Sequence, residues 1–194
     1  LVLLFCNTAS ARALRRLQHE GYPALGIIIP TVEKALTPSV TSPQVEGREG
    51  VSVRIGILAT QSTVDSGKYP AEIKKLWLAA EVFQQAAPTL VPLIESGKRV
   101  SDTLFHEYLE PLLAQRIDTL ILACTHYAIL KSEIKKLLPP EVKLICQDEI
   151  IGPKIITYLA RHPEIESKLS KTGTWEYLVT KLSPNFEKEA KAWF

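Results

Sequence analysis

The chain has 194 residues, of which 46% are hydrophobic and 23% charged, and its formal net charge is +2. This composition is typical of a globular protein with one large domain or two small ones. The near balance of charge argues against nucleic acid or an anionic membrane as a partner, and no apolar run approaches the ~20 residues that a membrane-spanning helix needs. Three cysteines are too few for a disulfide framework, so we expect reduced thiols in the cytoplasm.

The chain begins inside an apolar run and contains no methionine. Residues 1–5 predict a short buried strand, and Cys6 follows it with short polar residues that open a helix over 11–21, closed by Gly21. A translated protein needs an initiator, and a buried strand rarely starts at the first residue. We therefore expect a fragment that lacks its upstream part and is inactive and poorly soluble alone. A lipoprotein signal ending at Cys6 is disfavoured, because no basic segment precedes the apolar run.

The middle of the chain alternates between predicted strands and helices. Residues 24–29 predict a second short strand that ends at Pro30, and Thr31 is expected to cap a helical turn. The next segment, 37–50, is rich in Thr, Pro and Ser and predicts an exposed loop. The later predicted elements are a strand over 51–58, a helix over 70–85, a strand over 89–94, a helix over 101–115, strands over 119–123 and 143–146, and mainly helix from 150 onward. This alternation predicts a parallel α/β sheet.

Two cysteines each follow a predicted strand. The uncharged run 119–123 is typical of a strand buried on both faces, and Cys124 stands at its end, as Cys6 does after the first strand. Ligands of open α/β sheets collect at this edge, and the positive end of a following helix favours a thiolate. A single cysteine is more often a buried apolar residue, but two in this context favour catalysis. We expect the two halves to face each other across a cleft, and we interpret Cys146 as structural.

Several polar residues near these cysteines are candidates for a site. His126 can share a proton with the Cys124 thiol or hold it as thiolate. Short polar side chains at the helix starts either cap the helices or bind a substrate carboxylate. These candidates are Asn7, Thr8 and Thr125, with Ser62 and Thr63 as further residues of the same kind. No Cys/His pair has metal-ligand spacing and no phosphate-binding glycine motif is present, so we expect neither a metal nor a nucleotide.

Four segments of the sequence together resemble a known family. Phe5-Cys-Asn-Thr-Ala-Ser-Ala11 and Ala123-Cys-Thr-His-Tyr127 resemble the two cysteine motifs of the aspartate/glutamate racemase superfamily, and the stretches 54–63 and 91–97 agree in the same order. The Thr-His pair resembles the glutamate-specific members, whereas aspartate-specific members usually carry Thr-Glu. The resemblance implies two pseudo-symmetric α/β domains with the active site at their interface. Residues 31–146 would form the second domain, and 1–30 with 147–194 the remainder of the first.

The resemblance also implies an activity, namely the interconversion of L- and D-glutamate without a cofactor such as pyridoxal phosphate, supplying D-glutamate for the peptidoglycan cell wall. Cys6 and Cys124 would act as two bases on opposite faces of the substrate, with His126 and Glu95 tuning Cys124. An aspartate upstream of Leu1 would tune Cys6. Homodimerisation is left open. The alternatives are an aspartate racemase, which Thr125-His126 disfavours, and an inactive binding protein with the same fold.

Overall fold

The computed structural model describes residues 1–37 and 53–174, together with Glu176 and Leu178. The loop predicted over 37–50 therefore lies outside the described residues except for Thr37. The helical segment predicted from 150 onward is described as far as 174, where it contains helices as expected.

Six strands form two parallel sheets in the described residues. Strand β1 (Val2–Leu4) pairs with β2 (Ala24–Gly26). The larger sheet has the order β4-β3-β5-β6. Its strands are β3 (Arg54–Ala59), β4 (Glu81–Ala86), β5 (Thr119–Ala123) and β6 (Lys143–Ile145). All four strand pairings are parallel, which confirms the predicted parallel α/β architecture.

Helices connect these strands, because neighbouring parallel strands need a crossover connection. They are α1 (Asn7–His19), α2 (Ile28–Leu36), α3 (Gln61–Asp65), α4 (Lys68–Leu76), α5 (Leu90–Glu95), α6 (Asp102–Leu113), α7 (Lys131–Leu137), α8 (Ile151–Arg161) and α9 (Pro163–Glu166). Short 3-10 helices cover Thr125–Leu130 and Gln147–Glu149. Within the described part of the chain, none of these helices combines the length and apolar character needed to cross a membrane.

The larger sheet is covered on both faces, and β5 shows why its sequence is apolar throughout. Successive side chains of a strand point to opposite faces. Leu120 and Leu122 accordingly join the core beneath α5 and α6, whereas Ile121 and Ala123 join the core beneath α2 and α4. All five residues of β5 are buried, so the prediction of a strand buried on both faces is confirmed.

The helix predicted over 70–85 is wrong in its second half. Helix α4 ends at Leu76, and residues 81–86 form β4, the edge strand that pairs with β3. The residues of β4 are only half-buried and show no strict alternation, so their apolar positions continued the helical spacing of α4 by coincidence. Pairing with β3, which no local pattern reveals, decides the conformation of this segment.

The strand predicted over 89–94 is also wrong, because this segment forms α5. Pro92 is the third residue of α5, and a proline is tolerated in the first turn, where its missing N–H has no helical partner. Leu90 and Ile94, one turn apart, are both buried against the core. Glu95 is consequently the last residue of a helix and does not follow a strand.

The strand predicted over 24–29 is shorter than expected. Strand β2 ends at Gly26, and Ile28 already begins α2, with Pro30 inside its first turn. Thr31 is therefore not a helix cap. It is buried within α2, and its hydroxyl donates to the carbonyl of Ile27 at 2.6 Å.

The first cysteine-bearing unit follows the expected order of strand, cysteine and helix. Helix α1 begins at Asn7, four residues earlier than predicted, and Gly21 follows its C-terminal end with φ of +86°. The left-handed conformation at this position is one that glycine adopts at little cost, as the sequence predicted.

We expect the centre of β5 to dominate the stability of the larger sheet. Ile121 is fully buried between Ile57 and Ile145 of the neighbouring strands. Ile121→Ala should lower the free energy of unfolding by about 2–5 kcal/mol, because it removes buried methyl groups and leaves a cavity. The control is Ile156→Ala in α8, where the side chain is 71% exposed. Urea denaturation of both variants checks this, and equal losses would contradict the assignment of Ile121 to the core.

Candidate active site

Cys6 and Cys124 occupy equivalent positions with nearly identical backbone geometry. Each follows a strand and is the N-cap of the next helix, with φ and ψ of −147° and 132° at Cys6 and −150° and 132° at Cys124. An extended N-cap directs its side chain towards the free N–H groups of the first helical turn. Both thiols therefore lie at the carboxyl ends of strands in different sheets, and that of Cys124 has the backbone N–H groups of His126 and Tyr127 beside it.

The carboxyl edge of the larger sheet brings several loop residues together. Ala59, Ala86 and Ala123 lie side by side in the strand register. The residues that follow these strands, including Thr60 and Cys124, therefore emerge at one edge, where ligands of parallel sheets bind.

Cys124, His126 and Glu95 form a chain of polar groups. The Cys124 Sγ atom lies 3.9 Å from Nδ1 of His126, and His126 Nε2 lies 3.1 Å from Oε1 of Glu95. An ionised carboxylate can only accept a hydrogen bond, so Nε2 carries the proton and donates to Glu95. In the neutral imidazole, Nδ1 then holds the lone pair that can accept the thiol proton. The structure thus brings together three residues that were predicted as catalytic.

The Cys124 thiol is not the thiolate that its position beside a helix start suggested. Burial raises the pKa of Cys124 to about 11, and negative charge at Cys6 and at Glu95 acts in the same direction. Hydrogen bonds from the backbone N–H groups of His126 and Tyr127 lower the pKa in part but do not outweigh burial. A negative charge on Cys6 therefore also disfavours the thiolate form of Cys124.

Three threonine hydroxyls form a triangle beside Cys6. Thr8 lies 3.1 Å from Thr60 and 3.2 Å from Thr63, and Thr60 and Thr63 are 3.0 Å apart, each distance joining two Oγ1 atoms. Thr8 belongs to the first turn of α1, whereas the other two belong to the start of α3. Each hydroxyl carries a single O–H donor, so the three mutual bonds use all three donors, and a threonine that donates to a ligand must first give up a bond to its neighbour.

Asn7, the residue after Cys6, is buried in a network of hydrogen bonds. Its Nδ2 donates to Gln147 Oε1 at 2.8 Å, and Gln147 Nε2 donates back to Asn7 Oδ1 at 2.7 Å. The Tyr69 hydroxyl also donates to Asn7 Oδ1, at 2.7 Å. Gln147 Nε2 further lies 3.1 Å from Thr31 Oγ1 and 3.1 Å from the Tyr69 hydroxyl. The Asn7 side chain is 2% exposed, so the packing around it would have to open before it could contact a substrate directly.

The remaining predicted residues make fewer contacts within the site. Ser62 contributes its main-chain carbonyl, which accepts from Nη2 of Arg12 at 3.3 Å. Thr125 is half-buried as the first residue of the 3-10 helix after Cys124. Cys146 is 3% exposed at the end of β6, and burial raises its pKa to about 11. Within residues 1–37 and 53–174, no three His, Cys, Asp or Glu side chains are grouped so that they could hold a metal ion.

Sequence reasoning missed four residues of this region. These are Thr31, Thr60, Tyr69 and Gln147. Each comes from a different segment of the chain. The only local signal was at Thr60, a threonine directly after the predicted strand over 51–58. The other three become polar partners only when the two sheets pack together.

Comparisons with known proteins agree with this fold. The sequence pattern of the Asp/Glu/hydantoin racemase family matches residues 1–149. A glutamate racemase from Desulforudis audaxviator is 43% identical over 150 residues, which cover 74% of this chain and 50% of that protein. The chain thus spans about half the length of this relative.

Two solved structures are similar over nearly the whole chain. A glutamate racemase isoform from Bacillus anthracis is 30% identical with a TM-score of 0.79, covering 98% of this chain and 68% of that one. A glutamate racemase from Francisella tularensis, solved in complex with D-glutamate, is 26% identical with a TM-score of 0.78, covering 98% and 67%.

The fold and the site together define a parallel α/β protein with paired cysteines at the ends of two strands. The chain belongs to the Asp/Glu/hydantoin racemase family.

The raised pKa of Cys124 predicts a specific pH dependence for its reactivity. The thiolate is the reactive form, so alkylation of Cys124 by iodoacetamide should be slow at pH 7–8 and should increase about tenfold per pH unit until pH is near 11. Peptide mass spectrometry after timed labelling measures this rate. A labelling rate that stops increasing below pH 9 would mean that the backbone donors, and not burial, dominate the pKa of Cys124.

Proposed function

We propose that the protein is a glutamate racemase that interconverts L- and D-glutamate through two cysteines, Cys6 and Cys124. The observation that carries this proposal is the pair of strand-end thiols, which share one backbone geometry and come from different sheets, with charge at Cys6 among the causes that raise the pKa of Cys124. The similarity to glutamate racemases, one of them solved with D-glutamate, supports the choice of substrate.

Racemisation requires a proton to leave one face of Cα and another to arrive on the opposite face. A single base on one side cannot easily do both, so two acid/base groups must face each other across the substrate. Thiols suit this role because each can hold or release a proton within the range that a protein environment reaches. In one direction Cys6 as thiolate removes the proton while Cys124 as thiol delivers one, and the roles reverse for the other enantiomer.

The surroundings of Cys124 fit both of its roles. With a pKa of about 11 the thiol keeps its proton at neutral pH and is ready to donate. Once it has donated, the thiolate accepts hydrogen bonds from the backbone N–H groups of His126 and Tyr127. His126, oriented by Glu95, can exchange a proton with Cys124 and so prepare it for the reverse direction.

The substrate's carboxylates need donors near the two thiols. The free N–H groups at the start of α1 supply such donors beside Cys6, and the hydroxyls of Thr8, Thr60 and Thr63 can add a donor when one of them turns from its threonine neighbour to the substrate. Thr125 supplies an equivalent hydroxyl beside Cys124. Ser62 and Asn7 remain predicted substrate contacts, and for Asn7 the backbone N–H is the group best suited to this role.

The reaction needs no cofactor in this proposal, because the two thiols supply both acid and base. Its product, D-glutamate, would serve peptidoglycan synthesis in the cytoplasm. We further propose that residues 1–30 and 147–194 belong to one racemase domain and 31–146 to the other, with the substrate bound between them.

Removal of either thiol should abolish racemisation. In the full-length protein, Cys6→Ala and Cys124→Ala should each lower kcat by at least about 100-fold, because general acid–base groups contribute on the order of 10²–10⁴. Circular dichroism checks that each variant is folded, and polarimetric detection of D-glutamate formation measures the rate. The matched control is Cys146→Ala, which removes the third, buried thiol and should leave the rate close to that of the wild-type protein.

Two results would contradict the proposal. Racemisation near the wild-type rate in either variant would exclude the two-thiol mechanism. If the wild-type protein racemises aspartate in preference to glutamate, the proposed substrate is wrong, although the two-thiol mechanism stands.

Deuterium incorporation tests whether the two thiols serve opposite faces. In heavy water, the product enantiomer should carry deuterium at Cα from the first turnover, while the remaining substrate stays nearly unlabelled early in the reaction. The reason is that the delivering thiol has exchanged with solvent and the removing thiol has not returned its proton. Proton NMR at low conversion measures this, and equal early labelling of substrate and product would indicate a single base.

A further inference from the structure

Gln147 is a buried amide whose polar atoms all bind other parts of the protein. It is 3% exposed, its Oε1 accepts from Asn7, and its Nε2 donates to Asn7 and lies within 3.1 Å of the Thr31 and Tyr69 oxygens. These partners come from α1, α2 and α4, so one side chain connects three helices with the turn after β6.

The position of Gln147 relates it to both thiols. It follows β6 by two residues, and β6 pairs with β5, whose carboxyl end carries Cys124. Its partner Asn7 is the residue directly after Cys6. In the described residues, β1 and β2 share no strand pairing with the larger sheet. The position of Cys6 relative to Cys124 therefore depends on side-chain contacts between the sheets, such as this pair.

We propose that Gln147 is a positioning residue: its amide, paired with Asn7, fixes the first turn of α1 and thereby the Cys6 thiol relative to Cys124. This inference rests on the proposed racemase function. It also gives the Asn7 side chain a positioning role that sequence reasoning did not assign to it.

The amide pair cannot be replaced by an apolar side chain of similar volume. Asn7 and Gln147 each donate one hydrogen bond and accept one from the other, a reciprocal arrangement that only an amide or a protonated carboxyl can complete. With methionine at 147, Nδ2 of Asn7 loses its acceptor in a buried place, which is costly. We expect Asn7 to turn towards other partners and to displace the adjacent Cys6.

The first test compares Gln147→Met with Gln18→Met. Gln18 lies on α1, as Asn7 does, and its side chain donates a hydrogen bond to the carbonyl of Ala24 in the small sheet, so its loss breaks no link between the sheets. Gln147→Met should lower kcat/KM about tenfold to a hundredfold, as a displacement of about 1 Å can do, while Gln18→Met stays close to wild type.

Isotope effects distinguish positioning from simple loss of folded protein. If Cys6 is displaced, its proton transfer becomes more rate-limiting. The isotope effect of α-deuterated substrate should then rise for the enantiomer that Cys6 deprotonates and fall for the enantiomer that Cys124 deprotonates. A variant that is only partly folded loses activity with both isotope effects unchanged, and that result would overturn the proposal.

The second test is Gln147→Glu, which keeps the shape of the side chain. In its neutral form the introduced carboxyl can donate to Asn7 Oδ1 and accept from Nδ2, whereas the ionised carboxylate can only accept. The Gln147→Glu variant should therefore approach wild-type kcat/KM at low pH and lose activity as the introduced carboxyl ionises. The wild-type protein should not show this loss of kcat/KM with rising pH, and identical pH profiles of the two proteins would contradict the proposal.

A measurement without substrate separates this inference from the proposed function. Cys6 is exposed while Cys124 and Cys146 are buried, so iodoacetamide at pH 7 reports mainly on Cys6. Its labelling rate should change severalfold in Gln147→Met and stay unchanged in Gln18→Met. A full-length wild-type protein without racemase activity would contradict the proposed function alone, whereas unchanged Cys6 labelling in Gln147→Met would contradict the positioning role.

Discussion

The buried amide pair of Asn7 and Gln147 is the contact on which the arrangement of the site depends. Strand pairing fixes the geometry within each sheet, but in the described residues no ladder joins the small sheet to the large one. The start of α1 is instead held by side chains, namely the amide pair with Tyr69 and the triangle of Thr8, Thr60 and Thr63. Because buried polar groups are costly to leave without partners, this network favours one relative position of the two sheets.

The two cysteines show how one backbone geometry can give two different chemical environments. Their φ and ψ angles agree within a few degrees, yet Cys6 is exposed and Cys124 is 7% exposed. At Cys124 the cost of burying a charge exceeds the gain from two backbone N–H groups, so its pKa rises to about 11.

The candidate site combines residues that differ in how far the sequence could predict them. The positions of Cys6, Cys124 and His126 were predictable because each lies within three positions of a strand end, a local pattern. Glu95 was selected through a family resemblance, and its secondary structure was misjudged. Tyr69 and Gln147 were not predictable, since a tyrosine in a helix and a glutamine after a strand are common and acquire meaning only from partners distant in the chain.

The sequence alone determined the parallel α/β class, the central strand β5 and the two strand–cysteine–helix units, because each depends on the order of apolar and polar residues over a few positions. Only the tertiary structure decided that residues 81–86 form an edge strand and 90–95 a helix, since pairing with β3 and packing beneath the sheet outweigh a weak local preference. The tertiary structure also decided the ionisation of Cys124, because burial is a property of the packed chain and no short segment encodes it.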